Sequence, residues 1–302
     1  MEIGYPVHSK DNMNTQKRRK LEIAVISDVH LGTYGSQAYE LNQYLLSIKP
    51  GILILNGDII DFWQFSKRYW PDAHMKVVKS ILNIAAKGSR VYYITGNHDE
   101  TLRKFAGLRL GNFEIANKVE LELNGEKTWF FHGDVFDVVM HNNKWLAKLG
   151  AMGYDALIVV NVFLNFVSRL LGRGKVSFSK KIKDNVKQAV KYISDFENSA
   201  ARLAIQKGFK AIVIGHIHHP EIKEITVPKV GHIRYLNSGD WVENLTALEY
   251  NKGNWEIYQH QPDPTRRKEE TENEGSGEEL VDMDDRELFD HMVKEFKRSR
   301  PK

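Results

Sequence analysis

The chain has 302 residues, a formal net charge of +4, 42% apolar residues and no cysteine. The missing cysteine excludes disulfides, thiolate zinc sites and cysteine nucleophiles, and suits a reducing compartment. The polar stretch 1–20 ends in Lys17 to Lys20 without the apolar run of ~7–15 residues of a signal peptide. The longest apolar stretch, Ala156 to Leu164, falls short of the ~20 residues that span a bilayer. A cytoplasmic protein is expected, with one large domain, an insertion and tails.

Leu21 to Ser27 reads as a buried strand that ends in Asp28-Val29-His30. A helix follows, with Ala38, Leu41, Leu45 and Ile48 at helical spacing, stopped by Pro50-Gly51. Ile52 to Leu55 is a second strand, ending in Asn56-Gly57-Asp58. A second helix carries Met75, Val78, Leu82 and Ala85 on one face and closes at Gly88. Val91 to Thr95 is a third strand, ending in Gly96-Asn97-His98-Asp99. This β-α-β-α-β order predicts a parallel sheet with right-handed crossovers. Val119 to Leu123 and Lys127 to Phe131 predict a hairpin about Asn124-Gly125, ending in His132-Gly133-Asp134. Helical composition then runs from Trp145 to Gln206. Ala211 to Ile214 is a further core strand, ending in Gly215-His216-Ile217-His218-His219. Ile233 to Leu236, Leu245 to Tyr250 and Trp255 to Tyr258 are expected to form a second sheet layer.

Charge is unevenly spread. Between Arg169 and Lys191 lie eight Lys/Arg and one acid, Asp184, whereas between Glu269 and Asp290 lie eleven acids and one base, Arg286. The expected organisation is a flexible segment 1–20 and a domain 21–262 with a helical insertion at about 141–207. An acidic, largely disordered tail 263–302 follows, with a short helix at 284–298.

Asp28, His30, Asp58, Asn97, His132, His216 and His218 all stand at strand ends. In an open α/β sheet, ligand sites lie beyond the carboxyl ends of the strands. In Asp28-x-His30 and His216-x-His218 the residues are two apart, so on an extended strand end each pair points one way and can chelate. Asp, His and Asn together suit borderline-hard divalent ions such as Mn²⁺, Fe²⁺ or Zn²⁺. Seven such side chains exceed one tetrahedral zinc but serve two ions with a bridging carboxylate. Such a pair, about 3.5–4 Å apart, generates hydroxide at neutral pH and clamps a phosphoryl displacement.

The order Asp-x-His, Gly-Asp-x-x-Asp, Gly-Asn-His-Asp, His, Gly-His-x-His resembles the calcineurin-like metallophosphoesterase superfamily over about residues 21–260. The resemblance implies an α/β sandwich of two mixed β-sheets flanked by helices, with the insertion as a lid. It implies one metal on Asp28, His30, Asp58 and His218 and another on Asp58, Asn97, His132 and His216, with Asp58 bridging. Mn²⁺ is the expected ion, with Fe²⁺ or Zn²⁺ as alternatives. His98 is implied as the catalytic group beside the phosphate, with Asp99 orienting its ring and Asp61 accepting a hydrogen bond behind the ligands. Asp134, Asp137, His141 and His219 border these motifs without an assigned role.

Asp61-Phe62-Trp63 resembles the acid-x-Trp motif of the UDP-2,3-diacylglucosamine pyrophosphatases of lipid A biosynthesis. Gly239-Asp240-Trp241-Val242-Glu243 is similar to a C-terminal Trp motif of bacterial relatives. That family carries its lipid-binding lid where this insertion lies. The implied reaction cleaves the pyrophosphate by a metal-bridging hydroxide, giving UMP and 2,3-diacylglucosamine 1-phosphate. The well-studied branch has Arg where this chain has His98. The alternative is a general phosphoesterase acting on soluble nucleotides or phosphoproteins. The apolar face of Leu157, Val160 and Leu164, beside Arg169, Arg173 and Lys175, points to a nucleotide-linked lipid substrate and to peripheral association with the inner membrane surface. Nucleic acid is not an expected partner, because no aromatic platform is interleaved with these bases.

Overall fold

The computed structural model describes residues 18–64, 69–136 and 179–262, with the backbone alone over 179–189. The expected tail helix 284–298, the insertion residues 141–178 with Arg169, Arg173 and Lys175, and also Asp137, lie outside them. The described residues divide into two compact units. One lies within 18–133 and 201–260 and holds both sheets. The other lies within 134–200 and 261–262.

Twelve strands form the two sheets: β1 Arg19–Ile26, β2 Ile48–Asn56, β3 Arg90–Ile94, β4 Arg109–Leu110, β5 Phe113–Ala116, β6 Val119–Leu123, β7 Glu126–Phe130, β8 Ala211–Ile214, β9 Glu221–Val227, β10 Gly231–Asn237, β11 Thr246–Asn251 and β12 Asn254–Gln259. The first sheet has seven strands in the order β12-β11-β1-β2-β3-β5-β4. The second has five, β6-β7-β8-β10-β9. Both are mixed: β1, β2, β3 and β5 run parallel, as do β7, β8 and β10, while β11, β12, β4, β6 and β9 pair antiparallel to their neighbours.

Strands β1 and β2 are apolar on both faces because both faces are covered. Ala24, Ile26, Leu53 and Leu55 pack with helices α1 (Ala38–Ser47) and α2 (Asp72–Ala86). The alternating residues Ile23, Val25 and Ile54 meet Val119, Phe130, Val213 and Leu236 of the second sheet. A third helix, α3, spans Ser179–Gln206. Among the described residues no helix is long and apolar enough to cross a membrane.

Three expectations change. Helix α1 ends at Ser47, and β2 already begins at Ile48, so Pro50-Gly51 lies inside a strand. Proline fits there because β3 pairs with β2 only from Ile52 onward, leaving Pro50 one strand neighbour, β1. Strands β11 and β12 join the first sheet, not the second, since β11 pairs with Ile23 to Val25 of β1. On α2 the buried face is His74, Val77, Ile81 and Ile84, whereas Met75 and Leu82 are more than half exposed. Two apolar stripes compete on that helix, and polar His74 and Ser80 disguise the winning one.

Candidate metal centre

The loops after β1 and β2 are zipped together. Asp28 N–H donates to Gly57 O (3.1 Å), Val29 and His30 N–H to Asp58 O (2.9 and 3.0 Å), and Leu31 N–H to Ile59 O (2.9 Å). That ladder carries Asp28-x-His30 to Asp58. The carbonyl of Asp28 also accepts from Trp241 N–H (3.0 Å), which fixes this loop to the one after β10.

Five of the seven candidate ligands hold positive φ: Asp28 (53°), His30 (52°), Asp58 (53°), His216 (69°) and His218 (50°). The left-handed region costs a residue with a Cβ about 1–2 kcal/mol. Strain of this kind gathers at functional sites. Neighbouring glycines explain the motif spelling. A Cβ on Gly57 would stand 2.3 Å from His132 Nδ1, one on Gly96 2.2 Å from Asp58 Oδ1, and one on Gly215 2.6 Å from Asp28 Oδ2. No side chain fits at those positions while the ligands stay in place.

Two triads result. In Asp28, His30 and His218 one ligand atom from each lies within 4.8 Å of the others, and the same holds for Asp58, His132 and His216. His218 Nε2 stands 3.2 Å from Asp28 Oδ1, and His132 Nε2 3.1 Å from Asp58 Oδ2. His132 Nδ1 lies 2.9 Å from the carbonyl of Asn56 and donates to it, which points Nε2 into the site. The loops cross-brace each other: His98 N–H donates to Asp58 Oδ1 (2.8 Å) and His216 N–H to Asp28 Oδ2 (3.1 Å).

The electrostatics favour anionic carboxylates facing cations. Burial works to raise the Asp28 carboxyl, but His218 outweighs it and holds Asp28 down at about 2. Burial likewise opposes ionisation of Asp58, and His132 more than offsets it, so Asp58 also sits below the usual range. His218 is pushed up to about 9, with burial opposing and Asp28 prevailing.

The structure gives Asp99 another place and Asp61 a second ring to face. Asp99 does not orient His98: its oxygens accept from Ile59 N–H (3.0 Å), Tyr93 OH (2.7 Å) and Gly96 N–H (2.6 Å). It ties two loops together. Asp61 stands behind the His98 ring instead, with Oδ2 2.8 Å from His98 Nδ1 and 3.3 Å from His30 Nδ1. Its other oxygen accepts from Trp63 and Gln64 N–H, so the turn itself aims the carboxylate. Trp63 is 56% exposed, and its ring centroid lies 4.4 Å from that of His98. His219 is a surface imidazole.

Sequence reasoning gave Asp240 and Asn244 no role, yet they brace His218. Asp240 is fully buried, and its Oδ1 accepts from the N–H groups of Val242, Glu243 and Asn244. Asn244 Nδ2 donates to Asp240 Oδ2 and to the His218 carbonyl (2.9 Å). Asp240 Oδ2 lies 4.0 Å from His218 Nδ1. The available signal was Gly239-Asp240-Trp241, read only as a resemblance. Trp241 itself is core, packed on Tyr44.

The family model of the calcineurin-like phosphoesterases matches residues 21–220. The chain belongs to the calcineurin-like phosphoesterase family. It is thus a metal-dependent phosphoester hydrolase, and its residues fit metal. His30 Nε2 and Asn97 Oδ1 are buried without a hydrogen bond inside the site, where a cation would satisfy them. The chain is 24% identical to a UDP-2,3-diacylglucosamine hydrolase of Aeromonas salmonicida (strain A449), over 78% of this chain and 91% of that protein. It is also 24% identical to one of Tolumonas auensis (strain DSM 9187 / NBRC 110442 / TA 4), over 65% and 78%. Among solved structures, a hypothetical protein from Pyrococcus horikoshii OT3 matches with 10% identity and a TM-score of 0.43, over 87% of this chain and 96% of that one.

Proposed function

We propose that the protein hydrolyses the pyrophosphate of UDP-2,3-diacylglucosamine. Water adds across one P–O–P linkage, and UMP and 2,3-diacylglucosamine 1-phosphate leave. The observation that carries this reading is the aromatic wall beside the metal triads: Trp63 lies exposed against His98, on the turn that Asp61 holds. The curated relatives that carry this activity in their names support it.

Two divalent ions are proposed, Mn²⁺ first, with Fe²⁺ or Zn²⁺ as alternatives. Asp28, His30, Asp58 and His218 would hold one, and Asp58, Asn97, His132 and His216 the other. Such ions supply Lewis-acid activation of water and of phosphoryl oxygens. His98 Nδ1 faces the Asp61 carboxylate at 2.8 Å, which leaves Nε2 to hydrogen-bond a phosphoryl oxygen and to hand a proton to the departing one. Asp61 keeps that ring oriented. The acyl chains place the reaction at a membrane surface, so the enzyme is a peripheral protein of the cytoplasmic face of the inner membrane.

The test is UMP release from UDP-2,3-diacylglucosamine by the purified protein with Mn²⁺. Absence of UMP, with intact hydrolysis of an aryl phosphodiester, discards the lipid substrate and keeps the chemistry. That outcome would support the second reading, a phosphoesterase of soluble nucleotides or phosphoproteins, which the Gly96-Asn97-His98-Asp99 spelling favours.

A further inference from the structure

At the metal end of the two sheets, the inward face of β2 turns from apolar to polar. Ile54 meets Phe130 and Val213 of the second sheet. Asn56, two residues on and on the same face, is fully buried. Its Nδ2 donates to the carbonyls of Phe131 (3.2 Å) and Val213 (3.4 Å). Phe131 directly precedes His132, and Val213 stands three residues before His216. The backbone carbonyl of Asn56 accepts from His132 Nδ1 (2.9 Å). One residue of the first sheet is thus tied to both segments of the second sheet that carry ligands of the Asp58 triad. Asp58 itself lies two residues further along the chain.

Stability does not account for an asparagine at this position. Its Oδ1 is buried without a hydrogen bond, and an unpaired buried carbonyl costs stability. A leucine of similar volume would carry no such oxygen. The two second-sheet segments are already joined to each other without the Asn56 side chain: Phe131 N–H donates to Val213 O (3.3 Å) and Gly215 N–H to His132 O (3.0 Å). What the amide adds is the height of that joined pair relative to Asp58. The other triad has its own ties across the sheets. Ser27 Oγ, beside Asp28, lies 2.6 Å from Ser238 Oγ and donates to Gly239 O (3.0 Å).

We infer that Asn56 is a positioning residue for metal: its amide sets His132 and His216 at the distance from Asp58 that one shared cation requires. It acts on the ion of Asp58, Asn97, His132 and His216, and not on the one held with Asp28 and His218. Polar groups behind the ligands govern metal affinity in this way. The inference rests on the two-ion reading proposed above. A structural hydrogen bond and a positioning one predict different losses. Without the amide, one ion should weaken while the stability of the metal-free fold stays near its starting value.

Asn56→Leu removes the amide, and the probe is Mn²⁺ titrated in competition with a chelating dye. One of two bound equivalents should weaken about tenfold or more, and the other should stay within about twofold of wild type. The chelator-treated variant should melt within about 4 °C of the wild type. On a His216→Ala background, Asn56→Leu should leave the remaining ion unchanged. Asn42→Leu is the control, because Asn42 is also buried but accepts from Ser80 Oγ (2.6 Å), between α1 and α2. It should leave both equivalents as they are. Three results would overturn the inference: both equivalents as tight as in wild type, equal weakening of both, or the same one-ion loss in Asn42→Leu. Should Asn56→Leu not fold, Asn56→Ala carries the same comparison. A single equivalent on the wild type would discard the two-ion reading. Asn56 is then judged on that ion, where weakening upholds its role and unchanged affinity overturns it.

Discussion

The carboxylate of Asp61 stands 2.8 Å from Nδ1 of His98, and the same oxygen is 3.3 Å from Nδ1 of His30. One buried side chain therefore sets the ring of the proposed catalytic histidine and of a proposed metal ligand together. Asp61→Asn keeps the shape and removes the charge. It should lower kcat for an aryl phosphodiester by about 10–100-fold. Asp99→Asn should instead act on stability. It disturbs a buried carboxylate with three donors, at about 1–3 kcal/mol in a urea titration. If the two variants behave alike, the division of labour between them is wrong.

Gly96→Ala should abolish metal binding, because its Cβ would lie 2.2 Å from Asp58 Oδ1. Gly88 supplies the control. It holds φ of 100° with nothing within 4 Å of an added Cβ. Gly88→Ala should lower stability by about 1–2 kcal/mol and leave metal content intact. Metal analysis by mass spectrometry, beside thermal melts, separates the two.

Asp240→Asn and Asn244→Ala loosen the brace behind His218 without touching the ligand itself. Each should weaken metal affinity by about 10–100-fold, read by competition with a chelating dye. Affinity equal to wild type in both would mean that the His218 backbone, with its φ of 50°, holds the ring unaided.

His74 gives a pH dependence away from the proposed ligands. It is buried on α2, and its Nδ1 accepts from Gly32 N–H (3.0 Å). Burial lowers its folded pKa from 6.5 to about 4. Between those values the unfolded chain binds a proton that the folded chain refuses, so stability falls as pH drops through that window. His74→Gln keeps an acceptor but cannot titrate. Between pH 7 and pH 4 the wild type should lose roughly 1–2 kcal/mol more than this variant in chelator-treated samples. Parallel losses would assign the acid sensitivity elsewhere.

The strand ends were legible because each motif couples an apolar run to a short polar cluster, and a strand can deliver its last side chains to only one place. Asp28, Asp58, His132 and His216 come together for that reason. What could not be read was which carboxylate meets which ring. Asp99 adjoins His98 in sequence and Asp61 does not, yet the Asx-type turn at Trp63 and Gln64 aims Asp61 inward at that ring. Pairing partners of late strands were equally hidden. β11 and β10 look alike locally, and which sheet each joins is decided by distant strands. Arg109–Leu110 is too short for periodicity to register.

The glycine wall around Asp58, Asp28 and His132 has a consequence for how such an enzyme can change. Where backbone alone lines the reacting groups, nearly every exchange is a collision, so there is no graded series of variants through which the chemistry can drift. Variation is left to Trp63, to the edge beyond Asp99 and to the insertion. A chain built this way is free to change what it acts on, and where, while the bond it breaks stays the same.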